Sequence, residues 1–330
     1  MRRSVSVLLV IGMMLTLVAG CGKTTEEIVR AEDTVYSVLQ ITDVHILNDE
    51  KKDEKAFRDI TKMMDAAKPD LIVITGDITS EADNLTAIKT FGAFMEKLEI
   101  PWAFVYGNHD AEGDADKDAI DEYLLSLEYC VYERGDPAIT GHGNYYRNVT
   151  DASGKPIMTL FMMDSNMYDE ANGGYDHFHE DQIEWYKNTV QSIAEETNGD
   201  ASKVVPSLAF FHIPMQEFKT AYDAAKKDGG KLFGYRFEDE CPPIQDDQMF
   251  ETMVELGSTK GVFVGHDHMN NYEVEYSGIR LCYGLSCDHN IYLVPMRGGN
   301  LINIKADGSF TTQKLMCHRV IGTLTVTDEK

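Results

Sequence analysis

Positive charge is in short supply in this chain of 330 residues: 30 lysines and arginines stand against 55 aspartates and glutamates, a formal net charge of -25. A surface this acidic repels polyanions at long range, which excludes nucleic acid and anionic lipid headgroups as partners of its bulk. A phosphate ester is still admitted wherever metal ions reverse the local field. Cysteine is scarce, with six residues and no Cys-x-x-Cys pair. Setting Cys21 aside leaves Cys130, Cys241, Cys282, Cys287 and Cys317. An odd number excludes a complete disulfide framework and allows at most one or two bridges among small buried hydrophobes. Repeats and low-complexity stretches are lacking as well.

The apolar run from Val5 to Val18 is too short to suit a membrane span. It follows Arg2 and Arg3 and ends in Leu17-Val18-Ala19-Gly20-Cys21, the layout of a secretory signal. Small residues followed directly by Cys resemble a bacterial lipoprotein signal. That resemblance implies a signal peptide over 1–20 cut before Cys21, a diacylglyceryl group on Cys21, and a protein tethered to the bacterial cell membrane outside the cytoplasm. Stable anchoring takes more than one lipid chain. Residues 21–33 read as the lipidated Cys and a polar tether. With 43% hydrophobic residues and no later shift in composition, 34–330 reads as one domain with a sizeable core.

Val35 to Ile41 is the first strand candidate. Phe57, Ile60, Met64 and Ala67 then recur at helical spacing up to Pro69. Leu71-Ile72-Val73-Ile74 suits a strand buried on both faces. Asn84 is expected to cap a helix carrying Leu85, Ile88, Met95 and Leu98, and Trp102 to Tyr106 is the third strand. Strand–helix–strand–helix–strand predicts parallel strands with crossover helices, an α/β fold. Met158 to Met163, Leu208 to Phe211 and Gly261 to Val264 are further strands, with a helix over Gln182 to Glu195. The tail after Leu281 is expected to supply strands to a second sheet.

Five short motifs follow these strands: Asp43-Val44-His45, Gly76-Asp77, Gly107-Asn108-His109-Asp110, His212 in Phe211-His212-Ile213-Pro214, and Gly265-His266-Asp267-His268. Their side chains can converge at the carboxyl edge of a sheet, where open α/β sheets bind ligands. Asp, His and Asn form a nitrogen and oxygen ligand set suited to divalent Mn, Fe or Zn without thiolate. Each motif alone is weak, since a single His at a strand end is more often a hydrogen-bonded core residue. Five in order, each after an apolar run, are not.

In these residues the sequence resembles the calcineurin-like metallophosphoesterase superfamily, over roughly Val35 to Tyr272. Phe211-His212-Ile213-Pro214 and Gly261 to His268 are most similar to its purple-acid-phosphatase-like group. True purple acid phosphatases carry a tyrosine ligand just after the second aspartate. Here Asp77 is followed by Ile78-Thr79-Ser80, so a tyrosinate–iron centre does not carry over and His45 supplies a ligand instead.

The resemblance implies a four-layer α/β/β/α sandwich, two mixed β-sheets flanked by helices. It implies two divalent metal ions, one held by Asp43, His45, Asp77 and His268, the other by Asp77, Asn108, His212 and His266, with Asp77 between them. Such a pair, about 3.5–4 Å apart, clamps an in-line displacement in which a bridging hydroxide attacks phosphorus. His109 is implied as the residue that protonates the leaving oxygen or binds the phosphoryl group, a task suited to imidazole. Asp110 is a candidate orienting partner for it and Asp267 a candidate support for the ligands, and both fit equally as loop caps.

The expected function is an extracytoplasmic phosphomonoesterase acting on a small-molecule phosphate ester. Phosphodiesterase or nucleotidase activity is the alternative on the same core. A non-catalytic phosphate-binding lipoprotein and a surface interaction protein are the non-enzymatic readings. His142, His177 and His179 read as surface loop residues, His289 and His318 lack motif context, and Tyr145, Tyr146, Tyr168 and Tyr175 read as lying on long connections. Arg236 has the shape to meet a phosphate, though one arginine without context is weak.

Overall fold

A run such as Leu71-Ile72-Val73-Ile74 has no polar face to turn to water, and all four residues are buried within a strand. The structure, a computed structural model, describes residues 33–317 apart from 293 and 295. The expected signal peptide, most of the tether, the lipidation site Cys21, and His318 lie outside the described residues. In chain order the elements are β1 (Thr34–Ile41), α1 (Glu50–Ala67), β2 (Leu71–Thr75), α2 (Asn84–Glu96), β3 (Trp102–Val105), α3 (Lys117–Leu124), β4 (Tyr145–Thr150), β5 (Pro156–Met162) and α4 (Glu180–Asn198). They continue with β6 (Ser207–Phe210), α5 (Glu217–Asp228), β7 (Leu232–Phe233), α6 (Met249–Leu256), β8 (Thr259–Val264), β9 (Glu273–Tyr276), β10 (Ile279–Tyr283), β11 (Gly298–Lys305) and β12 (Phe310–Met316).

Two mixed sheets result. The first has the order β12-β11-β1-β2-β3, the second β4-β5-β6-β8-β10-β9-β7. As the sequence predicts, β1, β2 and β3 run parallel, and so do β5, β6, β8 and β10. Strand alternation then assigns each layer. In the second sheet Met158, Leu160, Met162, Leu208, Phe210 and Phe263 join the core shared with the first sheet. Their neighbours Phe161, Ala209, Phe211, Val262 and Val264 face outward into a second core with α4, α5 and α6. On the far side of the first sheet α1 contributes Ile60, Met63 and Met64, and α2 contributes Ile88, Phe91 and Met95. This is the expected four-layer sandwich.

Three local expectations differ from the structure. The tail does not all go to the second sheet. β10 does, but β11 returns to pair antiparallel with β1 and β12 follows it. Gly298 and Gly299 permit this close approach, since a methyl group there would lie 1.8 Å from Leu315 O and 2.6 Å from Gln40 O. Tyr145 and Tyr146 lie on strand β4. The buried Tyr145 hydroxyl donates to Phe104 O at 3.0 Å and accepts from Phe104 N at 3.1 Å, tying β4 to β3. Finally, Asn84 is not the cap of α2. Asp83 is, accepting from Thr86 N at 3.2 Å. The Asn84 amide instead donates to Asp110 O and Ala115 O, bracing the loop after β3.

A polar clasp joins the sheets where the motif-bearing strands end. Gln40 of β1 donates to Thr75 Oγ1 at 2.9 Å and to Val264 O at 3.0 Å. Its own oxygen accepts from Asn300 at 2.8 Å. Buried polar groups paired across the layers in this way favour one register between them.

Candidate metal centre

The loops after β1, β2, β3, β6 and β8 open at the same end of the two sheets and hold one another. Asp43 N donates to Gly76 O, and Val44 N and His45 N donate to Asp77 O. Gly265 N donates to His212 O. These loops turn too sharply for ordinary backbone. Asp43, His45, Asp77 and His266 take φ of 51°, 50°, 54° and 74°, the left-handed region, which is uncommon for such residues and concentrates at functional sites. Gly76 (φ 84°) adds close contact, since a methyl group on it would meet Gly107 Cα and His212 Nδ1 at 2.6 Å.

The side chains so placed fall into two groups sharing one carboxylate. Asp43, His45, Asp77 and His268 bring one ligand atom each within 4.8 Å of one another, and Asp77, His212 and His266 do the same. His45 Nε2 lies 3.2 Å from His268 Nε2 and 4.0 Å from Asp77 Oδ2. His268 Nε2 lies 3.2 Å from Asp43 Oδ1, and His212 Nε2 lies 3.0 Å from Asp77 Oδ2. Asn108 joins the second group from the loop after β3. Its amide nitrogen donates to the Tyr168 hydroxyl at 3.2 Å, which leaves its oxygen free.

Asp77 Oδ2, Asn108 Oδ1, His212 Nε2 and His266 Nε2 are buried and have no hydrogen-bond partner in the protein. One such atom costs about 1–3 kcal/mol. Four converging here are the pattern of a donor set built for a cation, and the seven nitrogen and oxygen donors fit divalent transition metals.

The electrostatics agree. Burial, then the cationic neighbours His212 and His268, pull His266 down to about 3. Burial, reinforced by His268, lowers His45 to about 4 despite Asp77. Both imidazoles are therefore neutral at working pH, as ligation requires. Burial also opposes charge on His212, but the Asp77 carboxylate overrides it and lifts His212 to about 10. Burial works against a charged Asp77 too, yet His212 and His45 hold it well below the usual carboxylate range. A field that draws a proton onto His212 Nε2 draws a metal ion to the same place. Thr75 O accepts from His212 Nδ1 at 2.7 Å and fixes the ring with Nε2 toward Asp77.

His109 lies beside this cluster, its ring 5.7 Å from that of His45, and its backbone N–H donates to Asp77 Oδ1 at 2.9 Å. Its partner is not Asp110. Asp110 is buried and accepts from the backbone of Gly107, Asp77 and Ile78 at 2.7–2.9 Å, stitching two loops together, and burial followed by Asp77 raises it to about 7. The group at His109 Nδ1 is Glu112, at 2.5 Å, which the sequence reading missed. The signal was the spacing, three residues on in a tight turn. Asp267 touches no ligand ring. It accepts from the Tyr283 hydroxyl at 2.5 Å and from Cys241 N at 3.2 Å, so it anchors the loop that carries His266 and His268. Asp288, also missed, caps the turn through Tyr292 and lies 4.0 Å from His268 Nδ1.

A pocket of about 130 Å³ opens over the cluster, lined by Tyr175, Tyr292, Glu238 and Cys241 with Asp77, His109, His266 and His268. Tyr175 stands edge-on to His266 and Tyr292 edge-on to His268, with ring centres 4.4 and 4.1 Å apart. His142 pairs with Asp121, His177 and His179 with Asp176, and His289 with Asp59. Arg236 is committed to Glu240 and Asp239 and meets no phosphate site. The five described cysteines are all free.

Two mixed sheets that deliver a nitrogen and oxygen cluster to their common edge define a metal-dependent phosphoesterase. The chain matches the family model described as calcineurin-like phosphoesterase over residues 36–270 and belongs to that family, hydrolases acting on phosphoester bonds. It is 29% identical over 288 residues to "Probable inactive purple acid phosphatase 29" of Arabidopsis thaliana, covering 78% of this chain and 73% of that one. It is 28% identical over 281 residues to "Phosphatase DCR2" of Saccharomyces cerevisiae, covering 76% of this chain but 47% of that one. Among solved structures, a dimetal phosphatase from Danio rerio superposes with a TM-score of 0.61 at 13% identity, over 90% of this chain and 100% of that one. Purple acid phosphatase PPD1 of yellow lupin superposes with a TM-score of 0.51 at 11% identity, over 88% of this chain and 52% of that one. At such identities these two structures speak for the fold.

Proposed function

We propose that the protein is a binuclear metal-dependent phosphomonoesterase, anchored outside the cytoplasm through a lipid on Cys21. The observation that carries the hydrolase reading is the convergence of seven donors, four of their atoms buried and unpaired. Asp43, His45, Asp77 and His268 would hold one divalent ion, and Asp77, Asn108, His212 and His266 the other. When bound, such ions neutralise the phosphoryl oxygens and acidify water. The chain itself orients the donors through Thr75 O and the Asp110 carboxylate, and packs Tyr175 and Tyr292 edge-on against His266 and His268. His109 stands at the pocket with a ring nitrogen available to the departing oxygen, the position of a general acid.

A second reading, a non-catalytic phosphate binder, is favoured by the words "probable inactive" in the name of the Arabidopsis relative. The complete donor set and His109 weigh against it here, since a binder needs no leaving-group acid. The test is metal-stripped protein refilled with Mn, Fe, Zn or Mg and assayed on a panel of phosphate esters. A monoesterase turns over an aryl phosphate faster than a bis-aryl diester. Turnover of the diester alone assigns a phosphodiesterase, and turnover of nothing with any metal supports the binder.

A further inference from the structure

One carboxylate beside the metal centre holds two functional side chains at once. Glu112 Oε2 lies 2.5 Å from His109 Nδ1. Its Oε1 accepts from the Tyr168 hydroxyl, and that hydroxyl accepts in turn from the Asn108 amide at 3.2 Å. The Glu112 side chain is only 33% exposed. A surface glutamate is ordinarily solvated and mobile, whereas this one is engaged at both oxygens, by residues that all border the cluster. With Nδ1 engaged, Nε2 is the His109 nitrogen left to the pocket that the ring helps to line.

We infer that Glu112 is a positioning residue for departure of the leaving group: it holds the Nδ1 proton of His109 so that Nε2 delivers the other proton to the departing oxygen. Tyr168 fixes the second carboxylate oxygen and so the direction of the first. The inference rests on the hydrolysis proposed above. As the ester P–O bond breaks, its electron pair passes to the departing oxygen, which takes the Nε2 proton. His109 is left neutral with Nδ1–H still on Glu112. The oxygen of water forms the new bond to phosphorus and its proton goes to solvent.

The test compares two monoesters on fully loaded protein, an activated aryl phosphate and an alkyl phosphate. A phenolate departs with little help, whereas an alkoxide needs its proton. Glu112→Gln should lower kcat for the alkyl ester about 100-fold and for the aryl ester about 10-fold or less, with KM and metal content held. Glu112→Asp should recover part of the loss. His109→Ala combined with Glu112→Gln should be no worse than His109→Ala alone, because residues acting as one unit are not additive. Independently of activity, 15N spectra of zinc-loaded, histidine-labelled protein should show Nδ1 of His109 protonated in the neutral ring as well as in the cation that donates from Nε2, and Glu112→Leu should move the neutral ring's proton toward Nε2. Equal losses on both esters, multiplicative losses in the double variant, loss of metal in Glu112→Gln, or an unprotonated Nδ1 in the parent protein would each overturn the inference. If the parent hydrolyses neither ester, the proposed function itself falls. If it hydrolyses both and Glu112→Gln changes neither, the function stands and the positioning role alone is lost.

Discussion

A methyl group on Gly107 would lie 2.1 Å from Oδ1 of Asp77. The loop after β3 is thus closed onto the carboxylate shared by both ligand groups, and only a residue without a side chain allows the approach. Gly107→Ala should displace Asp77 by a fraction of an ångström or more, and displacements of about 1 Å cost roughly 100-fold in rate. Steady-state assays and elemental analysis of the variant check this. Wild-type kcat with wild-type metal content would show that Asp77 does not need its present place.

The fold around α3 depends on a single buried acid. Asp121 accepts from the Tyr106 hydroxyl at 2.7 Å, the Tyr132 hydroxyl at 2.5 Å and His142 Nδ1 at 2.7 Å. Replacing it with Leu strands the Tyr132 phenol and leaves Tyr106 only its 3.1 Å bond to Lys117 O, and should destabilise the protein by about 2 kcal/mol, read as a lower denaturant midpoint at unchanged slope. An unchanged midpoint would mean that the phenols find other partners.

Glu217 gives a pH dependence remote from the metal centre. Burial, then Glu251 and Asp246, raises its carboxyl from 4.5 to about 7. The folded state therefore binds a proton that the unfolded chain has already released. That contribution is complete below about pH 4.5 and is lost as pH rises through 7. Glu217→Gln, always neutral, should match the parent in Tm at pH 4.5 and exceed it at pH 8. Parallel Tm profiles would contradict the assignment.

Among the described residues no lysine or arginine lines the pocket, while Glu238 and Asp267 do. Phosphate charge beyond the reacting group meets carboxylates there and no cationic group among the described residues. A nucleoside triphosphate should accordingly show a kcat/KM about 10-fold or more below that of a monophosphate ester whose alkyl or aryl group carries no further charge, with the gap narrowing as salt screens it. A preference for the triphosphate would point to cationic groups outside the described residues.

Much of this site was legible in the sequence because strand ends announce themselves. An apolar run followed by Asp-x-His, Gly-Asp or Gly-Asn-His marks both the strand and the place where it turns. Asp43, Asp77, Asn108, His212 and His266 could thus be assigned to one edge before any coordinate was known. What the sequence did not disclose are relations across the chain. Glu112 and Asp110 are both acids just after His109, and which one reaches the ring depends on the turn between them. Asp288 is brought near His268 by the long return from β10 to β11. That return itself was misassigned, because an alternating strand pattern reports a buried face and not which sheet supplies it. Asn84 looked like a helix cap, as its residue type favours, until the backbone it braces was seen.

The central claim is tested most directly by counting metal ions. Protein purified without chelator and analysed by plasma mass spectrometry should carry close to two transition-metal ions per chain, and Asp77→Asn, which removes the shared carboxylate while keeping its shape, should carry fewer than one. A folded parent protein that takes up no transition metal, or an Asp77→Asn variant that keeps both ions and full turnover, would contradict the account.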